Sequence, residues 1–264
     1  NCKKMNKYKY NKTKFKEELD KNILIERNNI LFKNEKPVMI LLNKIGAGSY
    51  GQIYKMYNYL NEKKQNYICK KMNINETNID EIYNEVMIQF QLSCVSSNIP
   101  EILCIVKDNN YYYIIMENIN FTLSVGKKNI GFLKTMFIDV SMILINLQNE
   151  VGFEHRDLHS QNIMYNYEKG WPKFFIIDFG MSKIKKYPNK SIWIYKNMNI
   201  NNRSHDLRLL FVNVCYKLLN VYNINDEINI KNKDFPVLSN YFKLFILKYI
   251  KMKYIDQCNK VPWH

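Results

Sequence analysis

The first half of the chain is a series of short apolar stretches separated by turn-forming residues, a pattern typical of β-strands. A turn of this kind, residues 108–110, joins two of the stretches. Residues 79–92 differ, because their apolar side chains recur at the spacing of a helix. The pattern predicts strands at 38–45, 52–57, 66–72, 102–106 and 111–116, and one helix at 79–92.

Helical spacing dominates the second half of the chain. Its clearest amphipathic segment is 131–149, and further helices are predicted at 206–220 and 236–253. Strands come first and helices follow. This order predicts an α+β fold with two lobes, a small β-rich lobe that holds one main helix and a larger α-helical lobe.

The composition is that of an ordinary globular protein, with 47% apolar and 24% charged residues in a chain of 264. The six cysteines form no Cys-x-x-Cys pair, which argues against a zinc site and against a disulfide framework. It favours a reducing, intracellular location, the cytoplasm or nucleus of a cell or host cell, or a virion. The longest uninterrupted apolar runs, such as 111–116, are too short to span a bilayer, so we expect no membrane partner.

The chain has a formal charge of +15, but this excess is a weak sign of function. Lysine greatly outnumbers arginine, a skew typical of low-GC coding. Residues 1–16 hold seven lysines and no acid. They predict a solvated tail or, alternatively, an electrostatic tether for nucleic acid or an acidic partner.

A glycine-rich segment, Gly46-Ala-Gly48-Ser-Tyr-Gly51-Gln-Ile53, lies between two predicted strands. Glycine lets backbone N–H groups approach a phosphate that a Cβ atom would keep away. A dinucleotide site of the Rossmann type requires a strand followed by a helix, which this segment lacks. The strand–loop–strand setting predicts a flap over phosphates, although a hairpin that binds no ligand can have the same sequence.

Two adjacent lysines, Lys70 and Lys71, lie in the third predicted strand. A lysine that binds phosphate must point inward and be held by a carboxylate. The neighbouring residues in the strand favour Lys70 as the phosphate-binding lysine, and Lys71 remains the alternative. On the following helix Glu85 is the favoured partner, with Glu81 one turn earlier as the other candidate.

Two carboxylate motifs follow the amphipathic helix. In His155-Arg-Asp157-Leu-His-Ser-Gln-Asn162, the Asp157 carboxylate can accept a hydroxyl proton and the Asn162 amide oxygen can bind Mg²⁺. In Ile-Ile-Asp178-Phe-Gly180, an apolar strand ends in a carboxylate that suits a metal ligand. A capped polar loop and a simple strand exit are the alternatives.

These four motifs, in this order, resemble the eukaryotic-type protein kinase superfamily over roughly residues 38–220. The resemblance implies that the glycine flap covers the phosphates of ATP and that Lys70, paired with Glu85, contacts them. It implies a hinge at 117–119 that binds adenine, with Met116 guarding the pocket behind it. The implied nucleotide-binding residues are Gly46, Gly48, Gly51, Ile53, Lys70, Met116, Glu117 and Ile119.

The same resemblance implies the catalytic roles. Asp157 is the expected base, Asn162 and Asp178 the expected Mg²⁺ ligands, and ATP with Mg²⁺ the expected cofactors. The expected reaction is transfer of the γ-phosphoryl group to Ser/Thr hydroxyls of a protein substrate. The segment Phe153-Glu-His-Arg-Asp-Leu-His159 is most similar to haspin and the haspin-like kinases of large DNA viruses.

The chain also departs from the family pattern. His159 stands where most Ser/Thr kinases have lysine, and no Ala-Pro-Glu motif follows Asp178. Asp206 resembles the aspartate that braces the catalytic loop, although a helix N-terminus also favours aspartate. The alternatives are a phosphotransferase of the aminoglycoside or choline type and an ATP-binding pseudokinase.

The expected organisation is a basic extension at 1–30, an N-lobe at 31–117 and a compact C-lobe at 118–264 with a short activation segment. Arg156 is expected either to bind a phosphate on that segment or to pair within its own loop. A segment this short predicts activity without phosphorylation.

Overall fold

A computed structural model describes residues 12–21, 23–48, 51–58, 67–123, 130–185, 206–207 and 210. The chain divides into two compact units. The first unit comprises Asn1–Asn120 with Ile177–Gly180, and the second comprises Phe121–Ile176 with Met181–His264.

An antiparallel sheet of seven strands, in the order β1-β2-β3-β4-β5-β7-β6, dominates the described part of the first unit. All five predicted strands and the predicted helix are confirmed, with slightly different ends. The elements of this unit are α1 (Lys12–Lys21), β1 (Ile25–Arg27), β2 (Ile30–Lys33), β3 (Lys36–Gly48), β4 (Gly51–Asn58), β5 (Tyr67–Asn73), α2 (Ile79–Val95), β6 (Ile102–Lys107) and β7 (Tyr111–Glu117).

Strand β5 lies between β4 and β7, so its side chains meet apolar neighbours on both sides. Lys70 is aligned with Ile53 of β4 and with Ile114 of β7. Its neighbour Cys69 belongs to the apolar core, together with Tyr113 of β7. Successive residues of a strand point to opposite faces, so β5 directs Lys70 and Lys71 to different surroundings.

The prediction of a solvated N-terminal tail is wrong for residues 12–16. They begin helix α1, on which Phe15 and Leu19 are buried, at 3% and 5% exposure. Residues four apart share one face of a helix, so two apolar side chains are enough to attach it to the sheet unit. Residues 1–11 lie outside the described residues.

The described part of the second unit is a long helix with a three-stranded antiparallel sheet, in the order β10-β9-β8. The predicted helix at 131–149 is confirmed. The predicted helices at 206–220 and 236–253 lie outside the described residues, apart from Asp206, Leu207 and Leu210. The elements are β8 (Phe121–Thr122), α3 (Ile130–Val151), β9 (Ile163–Glu168) and β10 (Trp171–Ile176).

Helix α3 is long and apolar enough, by length and composition, to cross a membrane, because few charges interrupt its apolar runs. The core helix of a soluble protein passes the same test. Of the most apolar stretch of α3, 53% is buried inside the protein. Met136, Val140 and Leu147 are fully buried along one face, which fits packing within the unit.

Candidate active site

Lys70 and Glu85 form a buried ion pair in the first unit. Lys70 Nζ donates to Glu85 Oε1 at 2.6 Å, and the two side chains are only 11% and 10% exposed. The side chain of Asn78 accepts a hydrogen bond from the backbone N–H of Asp80 and so fixes where α2 begins. The start of the helix in turn determines which face of α2 carries Glu85. Glu81, the alternative partner, is exposed.

Lys71 has a separate partner. Its Nζ lies 2.5 Å from Glu26 Oε2 on β1 and 4.1 Å from the ring centre of Tyr111. The same carboxylate oxygen accepts the hydroxyl of Tyr113 at 2.6 Å. Burial, followed by hydrogen bonds to Glu26 and Asp108, raises the pKa of Tyr113 well above its usual range, so the phenol stays protonated. Lys71 therefore secures strand β1 to the sheet.

The glycine-rich segment forms the hairpin between β3 and β4. Gly46 is aligned with Ile53 and Gly48 with Gly51. Gly51 has φ 144°, and a Cβ atom there would lie 2.5 Å from the carbonyl oxygen of Lys71. The fold itself therefore requires glycine at position 51. A Cβ on Gly46 would meet only Ile53, at 3.8 Å, so the protein's own packing does not require glycine there.

Asp178 and Gly180 lie beside the Lys70–Glu85 pair, in the same compact unit. A Cβ atom built on Gly180 would be 3.6 Å from Asp178 Oδ1 and 3.8 Å from Glu85 Oε2. Asp178 is exposed and has a left-handed backbone with φ 64°. Left-handed backbone outside glycine concentrates at functional sites. The structure thus brings an exposed carboxylate, a buried lysine and its partner together.

The predicted hinge begins at Glu117, the last residue of strand β7. Met116 is aligned with Ile68 of β5, and Gln89 Nε2 lies 3.9 Å from its Sδ. The backbone N–H of Glu117 donates to the carbonyl of Glu101 at 2.9 Å. Ile119 is buried at 3% exposure. These contacts fix the course of the segment after β7.

Asp157 and Asn162 belong to the second unit. Asn162 Nδ2 donates to the backbone carbonyl of Asp157 at 2.9 Å, and it lies 3.1 Å from His159 Nε2. This orientation leaves the amide oxygen of Asn162 as the atom available to a cation. His159 Nε2 lies 3.7 Å from Asp157 Oδ2. His159, the departure from the family pattern, therefore contacts both predicted site residues of this loop.

Asp206 holds the backbone of the loop that precedes Asp157. Its two carboxylate oxygens accept the N–H groups of His155 and Arg156, at 2.7 and 2.8 Å. Arg156 has φ 70°, which is unfavourable for a residue with a long side chain. The carboxylate therefore stabilises a strained turn directly before Asp157, as the resemblance of Asp206 implies.

Two further charged residues, Glu154 and Lys183, lie beside this loop. The sequence motifs gave no indication that they pair there. Glu154 pairs with both Arg156 and Lys183. No local pattern signals this contact, because Lys183 is distant in sequence and follows the Asp178 motif.

Each unit, taken by itself, holds side chains whose chemistry suits a magnesium–nucleotide complex. A carboxylate (Asp178) and an amide oxygen (Asn162) are the hard oxygen donors that Mg²⁺ prefers. The buried Lys70 provides a cation for phosphate, held by Glu85.

Comparisons with known proteins agree with this chemistry. The family model for the protein kinase domain matches residues 39–202, more than half of the chain. Two cell division control protein 7 homologs of Encephalitozoon cuniculi are each 24% identical over 148 residues, which cover 55% of this chain and 40% of theirs. A protein of Acanthamoeba polyphaga mimivirus, named as a serine/threonine-protein kinase, is 22% identical over 202 residues, 65% of this chain and 35% of its own.

The chain thus spans well under half the length of these relatives. The family match covers the glycine hairpin, the Lys70–Glu85 pair, the Asp157 loop and Asp178, and the two-lobed α+β fold expected from the sequence is confirmed. The chain belongs to the protein kinase domain family.

Proposed function

We propose that this chain is an ATP- and Mg²⁺-dependent serine/threonine protein kinase. The observation that carries the proposal is the buried Lys70–Glu85 pair with the exposed Asp178 carboxylate beside Gly180. A buried ion pair adds little net stability, because desolvation opposes the attraction between the charges. Its presence next to an exposed, left-handed aspartate favours a functional role.

Each residue has a distinct proposed role. Lys70, oriented by Glu85, binds the nucleotide phosphates, and Gly46, Gly48 and Gly51 form the flap above them. Asn162 and Asp178 would hold Mg²⁺, which when bound neutralises charge on the phosphate oxygens. Asp157 orients the substrate hydroxyl and accepts its proton. Positioning and charge neutralisation supply most of the catalysis in phosphoryl transfer.

Serine/threonine specificity is supported by the name of the viral relative and by the similarity of residues 153–159 to haspin. We propose that the chain is haspin-like within the kinase superfamily. The basic residues 1–11 form part of the proposal as a tether for an acidic or nucleic-acid partner. Lys12 and Lys16 both pair with Asp80 and are less suited to it.

Phosphotransfer to a small molecule is the second candidate. His159 favours it, because this residue replaces the lysine usual in Ser/Thr kinases and contacts Asn162. The two candidates differ in the acceptor. We therefore propose an assay with γ-labelled ATP and Mg²⁺ against generic protein substrates and, separately, against aminoglycosides and choline.

The proposal predicts labelled phosphoserine or phosphothreonine in protein and no labelled metabolite. Label in a metabolite alone would replace the first candidate with the second. Magnesium-dependent ATP binding with no transfer to any acceptor would identify a pseudokinase.

A further inference from the structure

One carboxylate in the second unit neutralises two cations. Glu154 Oε2 accepts from Arg156 Nε at 3.1 Å, and Glu154 Oε1 lies 3.0 Å from Lys183 Nζ. The three side chains are between 15% and 24% exposed, so water screens these charges only in part. Arg156 directly precedes Asp157, and Lys183 follows the Asp178 motif. Glu154 therefore links the catalytic loop to the start of the activation segment.

Backbone hydrogen bonds run along the same two stretches. Glu154 and Lys183 exchange both of their N–H and C=O groups at 2.9 Å, and the N–H of Lys185 donates to the carbonyl of Val151 at 3.0 Å. Buried Ser182 donates its hydroxyl to the carbonyl of His155 at 3.2 Å. The side chains of Glu154, Arg156 and Lys183 thus lie next to an antiparallel bridge that orders both stretches.

The Glu154 charge has an identifiable effect on this bridge. Without the negative charge of Glu154, the positive charges of Arg156 and Lys183 would lie close together and partly shielded from water, and their repulsion would be unfavourable. Arg156 directly precedes Asp157 and has a left-handed backbone with φ 70°, so a change in the backbone at Arg156 alters the position of Asp157. Asp206 restrains the N–H groups of this turn, and Glu154 restrains the side chain.

We propose that Glu154 is a positioning residue for phosphoryl transfer, which supplies from within the chain the anion that Arg156 and Lys183 require. This inference rests on the proposed kinase function and extends it to regulation. Because Glu154 already neutralises both cations, no phosphoryl group on the activation segment is needed to order the loop. Ser182, which directly precedes Lys183 in the sequence, is fully buried and donates to the carbonyl of His155, so a kinase cannot reach it in the folded state.

The test compares Glu154→Gln with a matched control. Glutamine keeps the size of the side chain and removes its charge. Glu168→Gln makes the same change in an exposed pair of the same unit, where Glu168 lies 2.9 Å from Lys173. We expect Glu154→Gln to lower kcat by about 10- to 100-fold while the KM for ATP stays within about 2-fold. Glu154→Asp should recover part of the loss, and Glu168→Gln should behave as the wild type.

Two further measurements separate positioning from general stability. Hydrogen exchange without nucleotide should be faster in Glu154→Gln at 153–157 and 181–185, with the exchange of helix α3 unchanged. Wild-type protein treated with phosphatase, and shown by mass spectrometry to carry no phosphate, should keep its full kcat.

The outcomes distinguish this inference from the proposed function. Wild-type protein that transfers no phosphoryl group overturns the proposed function. An active wild type combined with an unchanged kcat in Glu154→Gln, or with loss of activity after phosphatase treatment, overturns the role of Glu154 alone. A collapsed melting transition in Glu154→Gln with no recovery in Glu154→Asp would show a purely structural residue and would also refute it.

Discussion

Phe15 packs edge-on against Tyr83, with ring centres 5.1 Å apart and ring planes inclined at 67°. Phe15 lies on α1, and Tyr83 lies on α2, two residues before Glu85. Aromatic pairs of this geometry add stability beyond the area that they bury. The N-terminal helix is thus attached to the helix that carries the partner of Lys70.

Phe15→Ala should destabilise the protein much more than loss of the charged contacts beside it. Removing a buried phenyl ring costs about 3 kcal/mol or more. Lys12→Ala removes an ion pair with Asp80 whose side chains are 41% and 44% exposed, which costs less than about 1 kcal/mol. Denaturant unfolding followed by circular dichroism measures both variants. Equal midpoints for the two would show that α1 is not packed through Phe15.

Lys70→Met and Lys71→Met should differ in their effect on kcat. Lys70→Met should lower kcat at least about 100-fold, because the site loses a fixed cation, and it should also lower stability, because Glu85 is left buried without the Lys70 cation. Lys71→Met leaves Glu26 partly buried without its cation, which costs about 1–3 kcal/mol of stability. It should retain activity below its lowered melting temperature. Steady-state kinetics with thermal melting distinguishes them, and inactive, fully stable Lys71→Met would make Lys71 the functional lysine.

Asp206→Asn should lower kcat with little change in the KM for ATP. The amide NH₂ would face one of the two backbone N–H groups that the carboxylate now accepts, so the turn before Asp157 would shift. A displacement of about 1 Å at a catalytic group can cost about 100-fold in rate.

Asp139→Asn is the matched control for this variant. Burial raises the pKa of Asp139, so the amide should be tolerated at neutral pH and activity should persist. If Asp206→Asn is as active as Asp139→Asn, the two backbone hydrogen bonds to the Asp206 carboxylate are not needed for catalysis.

Cys69 and Cys94 should differ in reactivity. Burial raises the pKa of Cys69 well above its usual range, so its thiol stays protonated in the folded state, whereas Cys94 is exposed. Brief iodoacetamide treatment at pH 8 should label Cys94 and spare Cys69 until the protein is unfolded. Peptide mass spectrometry measures both, and equal labelling of the native protein would contradict the buried position of β5.

The same thiol contributes a pH dependence to stability. The unfolded thiol ionises above about pH 8.5, whereas the folded one retains its proton. The unfolded state then binds fewer protons than the folded state, so this contribution is full below that pH and declines as the pH rises. Cys69→Ala should weaken the alkaline loss of stability. An unchanged alkaline slope would contradict the protonated state of Cys69.

Most of the first unit was predictable because its signals are local. Short apolar stretches between turn-forming residues define β3 to β7, and the spacing of Ile82, Val86 and Phe90 defines α2. Helix α1 was not predicted, since only Phe15 and Leu19 distinguish its buried face within a lysine-rich segment. Its stability comes from packing on Tyr83, a contact that no local pattern reveals.

The site residues were named from motif spacing, but their partners depend on contacts between distant parts of the chain. Neighbouring lysines on one strand look alike in sequence. The difference arises because Glu85 lies on one side of β5 and Glu26 on the other. In the same way, the Glu154–Lys183 contact requires two stretches from different motifs to meet, which spacing alone cannot express.

Phosphoryl transfer by wild-type protein and by Asp178→Ala, with γ-labelled ATP and Mg²⁺, tests the kinase function most directly. Asp178 is exposed and accepts a long contact, 3.5 Å, from the N–H of Gly180, so alanine should leave the fold intact. Glu76→Ala removes another exposed carboxylate of the same unit and serves as the control. We predict labelled protein from the wild type and from Glu76→Ala, and none above background from Asp178→Ala. Undiminished labelling by folded Asp178→Ala would contradict the assigned site.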